Sequence, residues 1–306
     1  MRAYVLRRLW QSALTLAGVS VLVFVILRVL PGDPAKMLLP DGAPQSAVDE
    51  LNRQLGLHEP LHVQYALFLR SVFRGDFGLS FQYRAPALQV VTERLAATVQ
   101  LALAALLITV AVGVSLGIVA AVRRGTRYDY ASTVLAVLGQ SLPNFWLGIM
   151  LILLFGVALR WLPTSGFESW RHLILPAVTL AAFPMALVAR LTRSSMLEIL
   201  GRDFIRTGRA KGLAERAVIL RHALRNAAVP LLTVLGLQIG TLLGGAVITE
   251  SVFAWPGMGK LVVDAIFFRD FPVVQTVLIL SATIFVVINL LVDLLYTVID
   301  PRIRYS

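Results

Sequence analysis

The sequence predicts an all-α integral membrane protein with six transmembrane helices and an outer soluble segment between the first and the second. Three observations predict this. Hydrophobic residues make up 58% of the 306, and mean hydropathy is +0.78, well above a soluble domain. Six apolar runs, at 9–30, 97–122, 131–158, 173–193, 230–250 and 274–298, are each long enough to cross a hydrocarbon core, which takes about 20 helical residues. The charges between those runs are sorted by sign.

A net charge of +11 would suit a nucleic-acid binder, but its placement argues for a lipid bilayer and no nucleic acid. With the N-terminus inside, segments 1–8, 123–130, 190–229 and 299–306 hold 17 basic and 5 acidic residues. The opposite segments 31–96, 159–172 and 250–273 hold 10 basic and 11 acidic residues. Basic residues gather on the cytoplasmic side of a membrane, so a plasma (inner) membrane protein with both termini in the cytoplasm is expected.

The first element, 1–30, is a short tail and helix. Arg2, Arg7 and Arg8 precede an apolar run that is too long for a signal peptide and lacks a small-x-small cleavage site. Leu30-Pro31-Gly32-Asp33-Pro34 ends it, since proline removes a backbone donor and clashes with the preceding turn. Segment 31–96 is the one sizeable outer piece. It holds a Pro40-Asp41-Gly42 turn, a helical pattern with Leu51, Leu55 and Leu57, and a second apolar patch from Tyr65. At that size its core is marginal, so it is expected to pack on the membrane part or on another protein.

The membrane core, 97–298, follows. Gly236, Gly240 and Gly244 are spaced four apart, a spacing that lets helix backbones approach. Pro143 in the third run, and Pro176 and Pro184 in the fourth, predict kinks. Gln140, Ser141 and Asn144 surround Pro143, and Gln238 and Thr241 lie beside the glycines. Polar groups at such depth face either a helix–helix hydrogen bond or a wet pathway, and the sequence leaves both readings open.

Enzyme chemistry is weakly signalled. Gly113-Val-Ser115-Leu-Gly117 fits the serine-hydrolase pattern G-x-S-x-G, but it lies inside an apolar helix rather than at a strand-to-helix elbow. Small-residue helix packing accounts for it better than an intramembrane hydrolase. The four histidines are scattered without metal-ligand spacing, and there is no cysteine. Gly257-Met258-Gly259-Lys260 lacks the Ser or Thr that a phosphate loop needs, since Leu261 follows. No catalytic, metal or cofactor site is expected in the chain, and any energy from ATP has to come from a partner.

The inner segment 194–229 carries the strongest functional signal. Asp203, Phe204, Ile205, Arg206, Thr207, Gly208, Arg209, Ala210 and Lys211 can form a short helix, and Gly212 breaks it before Leu213. Leu213, Ala217, Leu220 and Leu224 then recur at helical spacing, with Arg216, Arg221 and Arg225 on the other faces. A solvated basic helix would satisfy the charge rule alone. A helix–turn–helix seated in a partner's groove also explains the apolar residues, with Phe204 and Ile205 as anchors and Arg206, Arg209 and Lys211 orienting it.

The segment resembles the inner loop of the permease subunits of bacterial ABC importers, whose motif is E-A-A-x3-G-x9-I-x-L-P. Gly212 and Leu224 are kept, while Arg206-Thr207-Gly208 replaces E-A-A, His222 the Ile and Arg225 the Pro. It is closer to the dipeptide, oligopeptide, glutathione and nickel branch, whose loop runs R-T-A-R-A-K-G-L…R-H-A-L-R-N-A, with Gly208 the one departure. Further branch motifs are Leu30–Pro34, Gln54-Leu55-Gly56-Leu57, Gly75-Asp76-Phe77-Gly78-Leu79-Ser80, Glu250 to Gly259, and Asp300-Pro301-Arg302 within the tail at 299–306. The resemblance implies the first of two permeases in a heterodimer. It further implies two ATPase subunits that bind ATP and Mg, and a periplasmic or lipid-anchored solute-binding protein. A short peptide or glutathione is the implied substrate, with a nickel chelate as the alternative.

Overall fold

A computed structural model describes residues 2–29, 44–54 and 58–299. The motifs at 30–34, 40–42, 55–57 and 300–302 lie outside the described residues. The chain forms α1 (Arg2–Val29), α2 (Gln45–Gln54), α3 (Leu61–Phe73) and α4 (Ala87–Ile108). A π-helical turn, Thr109–Gly113, carries α4 into α5 (Val114–Val122). Next come α6 (Arg127–Ser141), α7 (Asn144–Leu151) with a π-helical extension Ile152–Ala158, α8 (Trp170–Leu200) and α9 (Asp203–Ala210). A short turn, Glu215–Ala217, and a π segment, Val218–Ala223, lead into α10 (Leu224–Val252), followed by α11 (Met258–Phe267) and α12 (Phe271–Ile299).

Four stretches among the described residues are long and apolar enough to cross a membrane unbroken: Leu6–Ile26, Ala87–Val122, Trp170–Leu200 and Phe271–Asp293. Two bent pairs pass the same test, for up to six spans if each pair counts as one. The third run is not one kinked helix. Arg127–Ser141 and Asn144–Ala158 meet at 109°, because Leu142 and Pro143 are both extended (ψ 130° and 134°). A residue before proline is driven out of the helical region, and proline offers no N–H to carry the ladder on. At the start of the fifth run α10 bends by 58° between Ala228 and Pro230. By contrast α8 continues for 31 residues through Pro176 and Pro184, both buried. The second helix begins at Ala87 rather than 97, since Glu93 and Arg94 interrupt hydropathy without interrupting the helix.

The chain divides into two compact units, residues 1–96 with 257–290, and residues 97–256 with 291–306. In the first, the opening turns of α4 (Ala87, Val90, Val91) pack with Met258, Leu261 and Ala265 of α11 and Val273, Val274 and Val277 of α12. The loop before α4 is tied to the start of α12. The buried Asp270 carboxylate accepts from the Ser80 hydroxyl at 2.5 Å and from the Gln82 N–H at 3.2 Å. Elsewhere in this unit α3 lies on α1. The Ser20 and Tyr65 hydroxyls are bonded at 2.8 Å, and Phe24 meets Tyr65 edge-on with centroids 5.3 Å apart.

In the second unit α8 is central and touches α5, α6, α7 and α10. Lipid is as apolar as leucine, so close packing rather than water exclusion has to hold these helices together. Glycines make the approach possible. A Cβ on Gly117 would stand 2.4 Å from Thr192 Cβ and 2.6 Å from the Ala189 carbonyl, and one on Gly113 would stand 2.8 Å from the Met185 carbonyl. Gly139 similarly abuts Ala182 and Ala186. The expected stripe on α10 is only partly of this kind: Gly236 and Gly240 are buried, whereas Gly244 has open space.

Candidate functional site

The inner loop folds as the sequence suggests. Asp203 opens α9 within its first turn, where a negative charge complements the helix dipole. After Ala210 the chain reverses at Gly212, whose φ of +77° is costly for any residue with a Cβ. The Gly212 and Leu213 N–H groups donate to the Arg209 and Gly208 carbonyls, so the reversal is hydrogen-bonded. Across it Arg209 grips Glu215 with two nitrogens, at 2.6 and 3.0 Å. This bond holds the Glu215 carboxyl below its usual range and pushes the Arg209 guanidinium up. Both side chains are about half exposed, so the pair contributes on the order of 0–1 kcal/mol and acts mainly to fix geometry.

The apolar residues of the loop divide between two tasks. Ile205 is 1% exposed and packs with Met196, Ile199, Val218, Ala223 and Ala227. It therefore anchors α9 to the chain's own body and is not free to enter a partner's groove, a correction to the pairing of Ile205 with Phe204. Phe204 and Leu213 are 45% and 42% exposed, and Leu220 is similarly open. Arg206, Thr207, Ala210 and Lys211 surround them, all exposed. Arg206 leans on Asp203 at 3.4 Å, and the Thr207 hydroxyl donates to the Asp203 carbonyl.

The other polar candidates fall into two groups. Gln140, Ser141 and Asn144 lie at the 109° break, with Ser141 exposed and the other two half-buried. Irregular backbone at membrane depth persists only where protein or a water-filled cavity covers it. On α10, Gln238 is 5% exposed and its side-chain oxygen accepts from the Thr241 hydroxyl at 2.5 Å. Thr241 itself is exposed.

On the opposite side the Glu250-to-Trp255 motif forms a clasp. Buried Glu250 accepts from the Thr98 hydroxyl at 2.7 Å, and the Trp255 indole donates to the Ala97 carbonyl at 2.9 Å. Phe167 stacks edge-on against Trp255, with centroids 4.8 Å apart.

Residues 113–305 match the family model for the binding-protein-dependent transport system inner membrane component, and residues 1–102 match the model for the N-terminal part of such membrane components. The chain belongs to this family. Among its relatives are the dipeptide transport system permease protein DppB of Alkalihalophilus pseudofirmus, 43% identical, and a probable peptide ABC transporter permease protein, y4tP, of Sinorhizobium fredii, 45% identical. The glutathione transport system permease protein GsiC of Escherichia coli K12 is also 45% identical. All three alignments cover 100% of both chains. Among solved structures, an inward-facing MetNI methionine ABC transporter chain superposes with a TM-score of 0.59 at 19% identity, over 70% of this chain and 97% of that one. At that identity the likeness is one of fold.

For a permease of this family the G-x-S-x-G match resolves as packing. Gly113 and Gly117 press on α8, and the Ser115 hydroxyl donates to the Ala111 carbonyl one turn back. Sequence reasoning missed the ion pair between Asp129 and Arg193, 64 residues apart. The only signal was that Asp129 is the single acid of segment 123–130. It also missed the Arg209–Glu215 brace, although a charge pair flanking a helix-breaking glycine could have suggested it.

Proposed function

We propose that this permease is the first-type subunit of an ATP-driven importer of short peptides, with glutathione as the close alternative. It forms half of the translocation path beside a second permease. Two ATPase subunits on the arginine-rich side supply the energy from ATP and Mg, and a periplasmic or lipid-anchored solute-binding protein delivers the substrate. Both termini lie on the ATPase side, segment 31–96 faces the binding protein, and 194–229 is the coupling loop. Support for the substrate class comes from the full-length identity with peptide and glutathione permeases.

One observation carries the coupling assignment: an exposed aromatic, Phe204, stands on a short helix that Ile205 fixes to the core. A loop that merely joined two spans has no need of an apolar side chain held rigidly in water. Asp203 to Leu213 forms the docking surface, with Phe204 and Leu213 entering the ATPase groove and the arginines orienting it. Gln140, Ser141, Asn144 and Thr241 line the path, and Gln238 positions Thr241.

The test is the assembled transporter in proteoliposomes with its binding protein. Uptake of a labelled dipeptide or of glutathione, driven by ATP, is expected, and Phe204→Asp abolishes uptake while Arg206→Gln has a minor effect. A carboxylate forced into an apolar groove costs several kcal/mol, against about 0–1 for an exposed ion pair. Uptake of a nickel chelate and of neither peptide would overturn the substrate reading. Equal tolerance of both substitutions would overturn the docking reading.

A further inference from the structure

The motif Gly75-Asp76-Phe77-Gly78-Leu79-Ser80 folds into a bonded knot between α3 and α4. The Asp76 carboxylate accepts from the Gly78 N–H at 3.0 Å, and Gly78 turns at a φ of +83° beside Pro272 of α12. Phe77 packs against the apolar cluster of α4, α11 and α12. Leu79 and Pro86 pair as an antiparallel bridge, and the Ser80 and Ala87 N–H groups donate to the Ala85 and Gly78 carbonyls, each at 2.9 Å. Ser80 is 2% exposed. Its hydroxyl oxygen accepts from the Tyr83 N–H at 2.9 Å and donates to Asp270.

Asp270 is the other half of the joint. Its carboxylate, 0% exposed, takes three donors: the Ser80 hydroxyl, the Gln82 N–H and, from the first turn of α12, the Val273 N–H. The backbone on both sides is strained. Arg84, four residues after Ser80, and Arg269, just before Asp270, hold φ of +51° and +53°, a conformation that bulky residues keep only where the surroundings over-determine it. Packing alone did not require this, because Ala87, Val90, Val273 and Val274 already join α4 to α12. Apolar contact is non-directional and yields gradually. A buried carboxylate is different, since its bonds weaken steeply with geometry and a lost donor leaves it unsatisfied. The joint therefore makes the loop, the start of α4 and the start of α12 move together or not at all. On the reading that segment 31–96 faces the binding protein, we propose that the Ser80–Asp270 knot is the joint through which docking on that segment moves the starts of α4 and α12 as one body. Ser80 and Asp270 are positioning residues, both too deeply buried to touch the binding protein.

The test uses the assembled transporter in proteoliposomes, titrated with its loaded binding protein while ATP hydrolysis is read. Ser80→Ala is expected to lower maximal stimulation about fivefold relative to the same variant's basal rate, with the half-saturating concentration of binding protein unchanged. Asp270→Asn should act in the same direction, and Ser80→Thr, which keeps the hydroxyl, should restore most of the stimulation. A raised half-saturating concentration at full maximal stimulation would put the knot in the docking surface itself and overturn the proposal. Basal and stimulated rates that fall in proportion, with a lower melting temperature, would reduce the knot to a structural clasp and overturn it too. A fluorophore on Arg74→Cys, an exposed site of the same segment in a chain without native cysteine, reports whether the binding protein meets that segment. A label that responds, with normal stimulation in Ser80→Ala, sinks the joint alone. A label that stays silent sinks the reading of segment 31–96 and the joint with it.

Discussion

At the scale of single residues, two glycines carry opposite demands. Gly117 needs the absence of a side chain because α8 stands where a Cβ would go. Gly212 needs it because of backbone sign, with open space around it. Gly117→Ala is expected to destabilise the permease by about 1–3 kcal/mol through overpacking, read as a lower melting temperature of the purified complex. A melting temperature equal to wild type would show that α8 can yield. Gly244→Ala is the comparison, since open space there predicts no overpacking. Gly212→Val, in contrast, should leave melting almost unchanged and impair ATP-coupled uptake, since a β-branched residue at positive φ distorts only the reversal. Loss of melting temperature without loss of coupling would reverse these roles.

At the scale of elements, the Asp129–Arg193 pair fastens the α5–α6 hairpin to α8. Charged hydrogen bonds of this kind contribute about 1.5–3 kcal/mol. A double-mutant cycle of Asp129→Asn and Arg193→Gln should therefore show coupling of about that size. Additive effects would mean the two groups act independently.

The Arg209–Glu215 brace makes a prediction about pH. Glu215 is held below its usual carboxylate range by the bond to Arg209. Its stabilising contribution is thus fully present above the unfolded carboxylate pKa and is lost as pH falls through the lower folded value. Coupling that depends on the brace should be flat across neutral pH and decline only in acid below the ordinary glutamate range. Glu215→Gln should remove that acid limb from the ATPase profile. A limb centred near neutrality in the wild type would assign it to another group.

How much of this was legible follows the same division. The helices were readable because hydropathy is additive along a chain, and Gly212 was readable because glycine after a short polar helix has few other uses. The 109° break was not, since a run such as 131–158 has the same composition whether straight or folded back. Ile205 was misjudged because eight residues make barely two turns, too few for periodicity to say which apolar side chain turns inward. Asp129 and Arg193 sit 64 positions apart, and no local pattern connects them. The polar candidates at the break were found by composition alone, and their environments differ in ways that composition does not encode.

At the scale of the whole molecule, the chain is a permease that works as part of a larger transport system. Purified alone it should hydrolyse no ATP, and reconstitution with a second permease and two ATPases should be required for stimulated hydrolysis. Activity surviving in the demonstrably pure subunit would refute the assignment of energy transduction to partners. Cysteine substitutions at Gln140, Ser141, Asn144 and Thr241, in a background without native cysteine, should react with small aqueous thiol reagents in the assembled transporter. Gln238→Cys should be protected. Protection of all five would make them packing residues.

The unbroken α8 has a mechanical consequence. Its 31 residues run about 46 Å, continuous through both of its buried prolines. α9 follows it after two residues, with Ile205 seated beside Met196 and Ile199 on the last turns of α8. A push on α9 therefore acts on the end of a lever. For a pivot near mid-length, a tilt of only 10° would swing each end by about 4 Å, so a small displacement at the loop reaches the far side of the membrane undiminished and reversed in direction.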